Sequence, residues 1–560
     1  MAQGTFCLVL HGHLPWVLHH GRWPHGEDWL HEAASETWLP LFGVLDRLAA
    51  DGIRPAWSVG MTPVLLEQLS HPRFVHAFPA WLAERRTQAR SDEAEFSRRG
   101  DVDLAALADH TEAELARRLD QFDGLARDLP GAWRRAAESG AIEGLGSNAT
   151  HGYHPLILHD RCARAQIRIG LATTLRHLGV PPTAAWLPEC AYRPPGWWAP
   201  PALHGDPRWR EGVGRLWAEA GVRSLCFDGP TLAAGKSAWT LDGTPVAVGA
   251  DQAGWDHARA WLNVNETHRL TESGDVLDLT VFARGRDVSE PVWSGLVGYP
   301  GDQAYLEFHK RHGLRGHRYW RVTGPSVDLG GKRPYHPVEA EETARAHAHH
   351  FCGVVRGVIN GHFARTGRHA VVTAPFDAEL FGHWWHEGPV FLEAVVRELA
   401  ADPDILLRTL SEAENEVPCD KAVTLAEGSW GAGGDHRVWL NDELRFYWEW
   451  AYRCEDRFLD LWDSAPWRTN PDVARLLKRA ARQLLLLQAS DWAFVIGTRG
   501  AVDYGLRRIA EHAAMFDTLC NGVVDLVSGA PTDPVVVETE RMAALIDDLF
   551  ADLDLEAWAP

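Results

Sequence analysis

The chain has 560 residues, 46% hydrophobic and 23% charged. That is ample for a large core, exceeds one ordinary domain, and excludes a disordered protein. A formal net charge of -21 repels phosphate backbones and anionic lipid, so no nucleic acid and no membrane is expected as a partner; solubility alone would also account for it.

Tryptophan is over-used, at 27 residues against 9 Tyr and 4 Met. An indole needs a flat neighbour and a partner for its N–H, and sugar rings offer both. Many of these residues must be core. The pairs Trp197-Trp198 and Trp384-Trp385 adjoin polar motifs, which points them toward a site. The eight cysteines are scattered without a CxxC pair, as expected of free thiols in a reducing, cytoplasmic compartment. The N-terminal residues read as an immediate β-strand rather than a signal peptide, and no run of about 18 apolar residues is found.

Residues 6–10 form a short apolar run that ends in His11-Gly12-His13. The same unit recurs along the chain: residues 56–59 lead into Gly60-Met61-Thr62-Pro63, and 142–145 into Ser147-Asn148-Ala149-Thr150-His151. Residues 184–187 lead into Pro188-Glu189-Cys190, 224–227 into Asp228-Gly229, and 370–372 into Thr373-Ala374-Pro375-Phe376-Asp377. Each reads as a buried strand with polar residues at its C-terminal end. Helical patterns intervene, as at residues 38–45 and 341–358. Strand–helix alternation with chemistry at strand ends describes an α/β barrel, with an open doubly wound sheet as the rival.

Residues 79–140 are rich in Ala, Arg, Glu and Leu and read as a small helical insertion. A barrel over 1–78 and 141–402 would surround it. From about Pro403 the strand signals stop. Residues 473–487 carry apolar side chains at helical spacing, so 403–560 reads as a C-terminal helical domain. Within it Ser490-Asp491-Trp492 interrupts an apolar helix with polar groups that want a reason.

His11 and His13 lie two apart on a strand end and therefore face the same way. The spacing suits a metal, with His151 as a third ligand and an acidic residue to complete the set. It equally suits hydrogen bonds to substrate hydroxyls, or orientation of a carboxylate, or burial in a satisfied network. Glu189 follows a buried strand and a backbone-fixing Pro, and Asp377 also ends an apolar strand. Two carboxylates from separate strands facing one cleft are what glycosidic cleavage requires, one attacking the anomeric carbon and the other protonating the leaving oxygen. Either could instead be an ordinary ion-pair partner. Residues 429–440 hold glycines, Trp430, Trp439 and an Asp-His-Arg run; they read as a cleft wall or a surface loop, and lack the spacing of a phosphate-binding loop.

Together these motifs resemble glycoside hydrolase family 57, and most closely its 1,4-α-glucan (glycogen) branching enzymes. The resemblance rests on His11-Gly12-His13-Leu14-Pro15-Trp16, Gly60-Met61-Thr62-Pro63, Ala149-Thr150-His151-Gly152-Tyr153 and Trp186-Leu187-Pro188-Glu189-Cys190-Ala191-Tyr192-Arg193. Val292-Trp293-Ser294, Gly298-Tyr299-Pro300-Gly301-Asp302, residues 376–385, the 429–440 loop and Ser490-Asp491-Trp492 complete it. It implies an α/β fold: an incomplete (β/α)7 barrel with a small helical insertion and a C-terminal all-helical domain. It implies double displacement with retention, with Glu189 as nucleophile, Asp377 as general acid/base and no cofactor or metal. His11, His13 and His151 would line the donor subsite. Trp293, Trp430, Trp439 and Asp491 would line the cleft, and Trp23 matches a cleft tryptophan of the family. The partner would be an α-glucan such as amylose or glycogen, and the chain a monomer or small homo-oligomer.

Two segments depart from the family pattern. Its branching enzymes carry a loop Tyr that favours transfer, whereas residues 233–243 offer only Trp239. An insertion spans about 255–277. Hydrolysis, 4-α-glucan transfer, a metal-dependent deacetylase-like activity and a catalytically silent glucan-binding protein are therefore the alternatives to branching.

Overall fold

A computed structural model describes residues 2–202, 206–233, 238–240, 245–246, 263–294 and 297–560, with 233, 238–240 and 245–246 as backbone. Seven strands set the frame: β1 (Gly4–Gly12), β2 (Trp57–Met61), β3 (Ile142–Gly144), β4 (Ala184–Ala185), β5 (Ser224–Asp228), β6 (Asp275–Arg284) and β7 (Ala370–Asp377). All run parallel and follow one another around a ring. β1 lies between β2 and β7, which puts His11 level with both Gly60 and Asp377. First and last strands being neighbours, the sheet is a barrel and the doubly wound alternative falls.

The ring is thin at two seams. β6 pairs with β5 over five residues but meets β7 only at Arg284 and Thr373. β3 reaches β4 through a single bridge between Gly146 and Ala185. Strand parity explains the rest of the core. Cys7, Val9, Cys226, Phe282 and Val371 share one small cluster with Ala184 and Trp186, the barrel interior. Phe6, Leu8, Leu10, Val372, Ala374 and Phe376 belong to the larger cluster against the surrounding helices. Burial on both faces is why these strands read as unbroken apolar runs. The same alternation carries inward parity to His11, Asp228, Arg284 and Asp377 at the strand ends.

Helices Leu39–Ala50, Pro63–Ser70, Asp160–Leu178, Val213–Glu219, Pro337–Thr366 and Gly388–Ala400 alternate with the strands. Between β2 and β3 stand helices Pro72–Arg99, Val102–Gly124 and Leu129–Glu138, and Pro79 lies inside the first rather than at its start.

The expectation that strands stop near Pro403 is corrected by two short ones. Ile405–Leu407 pairs with β1, and Lys421–Val423 pairs with His268–Glu272. Three residues each are too few to show a period of two. Leu410 and Ala413, on the helix between them, close the barrel interior from below. Of the 255–277 insertion, residues 263–277 are described; His268–Glu272 is antiparallel to β6 and extends it into a hairpin. The loop with Trp239 lies outside the described residues except for backbone 238–240, which pairs with Lys421–Val423.

Five helices follow: Arg445–Ser464, Pro471–Leu487, Ser490–Gly497, Val502–Ser528 and Pro534–Ile546. The second is the pivot. Its expected stripe of Val473, Leu476, Leu477, Ala480, Leu484 and Leu487 is buried, and so are Ala481, Arg482, Gln483, Leu485 and Leu486. Its C-terminal half, residues 480–487, is buried on every side and is therefore central, whereas Asp472 and Arg475 near its start are exposed. Its C-terminal end meets the loop after β3: the Thr150 hydroxyl donates to the Leu485 carbonyl, Gln166 Nε2 donates to Gln488 Oε1 at 3.0 Å, and the Ser490 N–H donates to the His151 carbonyl at 3.0 Å. No described helix is long and apolar enough to cross a membrane, and all eight cysteines are free.

Candidate active site

Glu189 sits just beyond β4, where Pro188 opens a single tight turn. Its backbone is left-handed, φ +60°, and Cys190 follows at +48°. A β-carbon makes that region costly, so a non-glycine pair there needs a surrounding structure that over-determines it. The tie is visible: the Trp430 N–H donates to the Glu189 carbonyl at 3.1 Å, and the Cys190 N–H donates to the Leu187 carbonyl at 2.9 Å. His151, across the site, is also left-handed at φ +58°.

The Glu189 carboxylate is surrounded by donors. Trp430 Nε1 donates to Oε2 at 2.9 Å, and Ser490 Oγ donates to Oε1 at 3.0 Å. The buried Trp439 indole, with no hydrogen-bond partner of its own, adds a weaker pull in the same direction. Burial nevertheless dominates and, with the Asp491 charge, lifts the carboxyl from 4.5 to about 7. Asp377, level with His11 on the neighbouring strand, is lifted from 3.8 to about 7 by burial first and the Glu189 charge second, against the pull of His13 and Arg284. The two carboxyls therefore feel each other and titrate as a pair. Glu379, two residues on, is pushed well above its usual range by burial and by Asp377, and accepts from the His13 N–H at 3.0 Å.

Histidines build the wall between them. His11 Nε2 and His151 Nε2 share a hydrogen bond of 3.0 Å, and His151 Nδ1 shares one of 2.9 Å with Ser490 Oγ. Burial holds both rings well below the ordinary imidazole range, so they are neutral. His13 shares its Nδ1 with Thr62 Oγ1 at 2.9 Å and its Nε2 with both Asp491 oxygens at 3.0 Å. The three rings stack, with His13 and His151 centroids 3.9 Å apart. Among the described residues, His13, His151 and Asp491 form one group whose ligand atoms lie within 4.8 Å of one another. Two histidines of the set considered from sequence, His13 and His151, are in it with Asp491 as the acidic member; His11 is not, its Nε2 being turned on His151.

Aromatic side chains complete the enclosure. Trp430 packs on Trp186 at 4.9 Å and on Trp293 at 5.6 Å, and Trp293 on Phe376 at 6.1 Å. Trp439 stacks on Tyr153 at 4.7 Å, and the Tyr153 hydroxyl bonds His436 Nδ1 at 2.8 Å. The glycines of the 429–440 loop permit this: a β-carbon on Gly431 would come within 2.6 Å of the Trp439 ring. Arg284 lies 5.7 Å over the Trp430 ring and donates from Nε to Asp228 Oδ1 at 2.8 Å.

Of the residues singled out from sequence, Glu189, Asp377, His11, His13, His151, Trp293, Trp430, Trp439 and Asp491 are joined by this web. Trp23 is not: its ring is 40% exposed and packs under the Arg315 guanidinium at 5.2 Å. Sequence reading did not assign Thr62, Trp186, Arg284 or the donor role of Ser490. Arg284 and Asp228 carried a signal, since both end apolar strands with inward parity. The described cavity of about 670 Å³ beside Tyr299 and His350 contains none of these residues.

A family model described as "Glycosyl hydrolase family 57" matches residues 7–426, and one described as "1,4-alpha-glucan branching enzyme, C-terminal" matches 451–558. A 1,4-alpha-glucan branching enzyme of Thermococcus kodakarensis is 35% identical over 538 residues, 96% of this chain and 76% of that one. The crystal structure of a family 57-type branching enzyme from Pyrococcus horikoshii superposes with a TM-score of 0.89 at 33% identity, covering 100% of this chain and 97% of that one. The alpha-amylase AmyC of Thermotoga maritima superposes at 0.81 with 26% identity, covering 100% and 99%.

Proposed function

The chain belongs to glycoside hydrolase family 57, and on that premise we propose that it is a 1,4-α-glucan branching enzyme working by double displacement. Glu189 attacks the anomeric carbon of an α-1,4 link while Asp377 protonates the departing oxygen. A covalent glucosyl–enzyme results. Asp377, now a base, takes the proton of a glucan 6-hydroxyl, whose oxygen displaces Glu189 and restores the α-configuration.

The observation that carries this reading is the unequal solvation of two coupled carboxyls. Glu189 receives hydrogen bonds from Trp430 and Ser490, whereas Asp377 is raised by burial and by its neighbour's charge. Donors favour the anion, and with both carboxyls at about 7 the form with the charge on Glu189 and the proton on Asp377 is populated near neutral pH. That is the protonation state in which the first step begins.

Neutral His11 and His151, bonded to each other, and His13, held by Thr62 and Asp491, form a fixed polar wall for the donor sugar. Trp293, Trp430 and Trp439 supply flat walls and exclude water, which favours an acceptor sugar over hydrolysis. The free cysteines support a cytoplasmic location, and the chain is taken to act as a monomer or small homo-oligomer.

The likeness to an alpha-amylase favours a second reading, hydrolysis at the same carboxyls. Incubation with amylose separates them. New α-1,6 branch points, counted after debranching, should far outnumber new reducing ends; reducing ends without branch points would establish the hydrolase and reject branching.

A further inference from the structure

Seven residues beyond Glu189 the chain enters a two-stranded antiparallel ribbon, Gly196–Trp198 paired with Arg208–Arg210, in which Trp197 stands directly opposite Trp209. Opposed residues of an antiparallel pair share a face. The two indoles meet edge to face, centroids 6.2 Å apart and planes at 82°, and remain 73% and 49% exposed. The other face is firmly anchored. Arg210 is fully buried with its guanidinium 5.0 Å over the Trp198 ring; it donates from Nε to Asp160 Oδ1 and from Nη1 to the Ile157 carbonyl, both at 2.7 Å. Trp198 in turn meets Tyr452 of the C-terminal helices edge-on at 6.3 Å. Two large aromatic faces are thus held out to solvent on a rigid support.

We propose that Trp197 and Trp209 form a second α-glucan-binding platform, separate from the Glu189 cluster, that grips a polymeric substrate outside the site of cleavage. The proposal rests on the function inferred above and names a second contact for a long glucan chain. Three observations select this occupant. Indole faces suit the C–H faces of pyranose rings, and the edge-to-face pair offers two such faces at an angle, as a curved glucan would need. The area is too small for a second copy of the chain: two Trp side chains bury about 300–500 Å², well below the roughly 1,000 Å² of a stable interface. A lipid surface is disfavoured by the net charge of -21. The ribbon is also continuous with the site, because the segment leading into it is tied by a Tyr192–Gly428 bridge to the chain just before Trp430.

Binding measured in the inactive Glu189→Gln background tests this without turnover. The probes are long-chain amylose, which can span both places, and maltotriose, which fits the cleft alone. Adding Trp197→Ala and Trp209→Ala should weaken amylose binding about tenfold, the usual cost of truncating buried tryptophan anchors, and leave maltotriose binding within about twofold. Trp197→Tyr with Trp209→Tyr should restore most of the loss. Amylose affinity unchanged by the alanines, while the native enzyme still branches amylose, overturns the platform and spares the functional reading. A change in oligomer mass with unaltered amylose affinity assigns the patch to self-association and also overturns the platform. A native enzyme that neither binds nor alters amylose overturns both.

Discussion

Replacing Trp430 by Phe removes the indole N–H together with part of the ring, leaving a smaller apolar side chain. The ring still packs against Trp186 and Trp293, but Glu189 Oε2 loses the donor now 2.9 Å away. A hydrogen bond to a charged group contributes about 1.5–3 kcal/mol, equivalent to about 1–2 pKa units. Ser490 Oγ remains on the carboxylate at 3.0 Å, so we expect about one unit. The sign follows from the roles. Loss of a donor to the anion raises the Glu189 pKa above its present value of about 7, so the nucleophile stays protonated to higher pH. The acid limb of the pH–rate profile moves up, and because the two carboxyls titrate as a pair the population with the charge on Glu189 and the proton on Asp377 shrinks. The bell narrows, and on the acid side the rate falls about tenfold. Iodine-stained amylose turnover from about pH 5 to 9 reads this directly. An acid limb that stays put or moves down, in a variant keeping the native melting temperature, would refute the assignment of Glu189 as the charged partner.

Asp491→Asn should move the same limb the other way, because the Asp491 charge raises Glu189; it should also raise KM as the charged acceptor of His13 becomes a neutral amide oxygen, and the split between limb and KM is the check. Glu189→Gln removes a carboxyl lifted from 4.5 to about 7. Such a group holds its proton in the fold where the unfolded chain has released it, so stability is greatest below the unfolded value and declines as pH climbs to the folded one. The Gln variant should be more stable than native by about 2–3 kcal/mol at pH 7.5, with the gap closing toward about pH 4, as followed by thermal melts. Gly431→Ala should cost about 1–3 kcal/mol and much of the activity by driving a methyl into the Trp439 ring; a variant with native melting point and rate would show that the loop yields freely.

Glu189 and Asp377 could be read from the chain because each ends a short apolar run, and a run buried on both faces leaves little else for a carboxylate to do there. β4 is only two residues long, yet its Ala-Ala-Trp-Leu context still stood out against helical flanks. What escaped was reach across the chain. Ser490 lies 301 residues from Glu189 and His13 lies 478 from Asp491, and no local pattern announces such contacts. Ser490-Asp491 showed as polar residues interrupting an apolar helix and as a family motif that put Asp491 in the cleft; the reason for the interruption is that the C-terminal helices press it onto the loop after β3. Trp23 was the reverse case, a tryptophan whose motif matched a cleft residue but whose contacts run to Arg315. The strands after Pro403 were missed because three residues added to an existing sheet need no period of their own.

Chemical rescue by azide tests the division of labour between the two carboxyls most directly, with an α-maltosyl fluoride donor whose leaving group needs no acid. With Glu189→Gly, azide should occupy the vacated side of the anomeric carbon and give the β-azide. With Asp377→Gly the covalent intermediate still forms, and azide should open it to the α-azide. The opposite pairing of variant and anomer, or the same anomer from both, would contradict the mechanism.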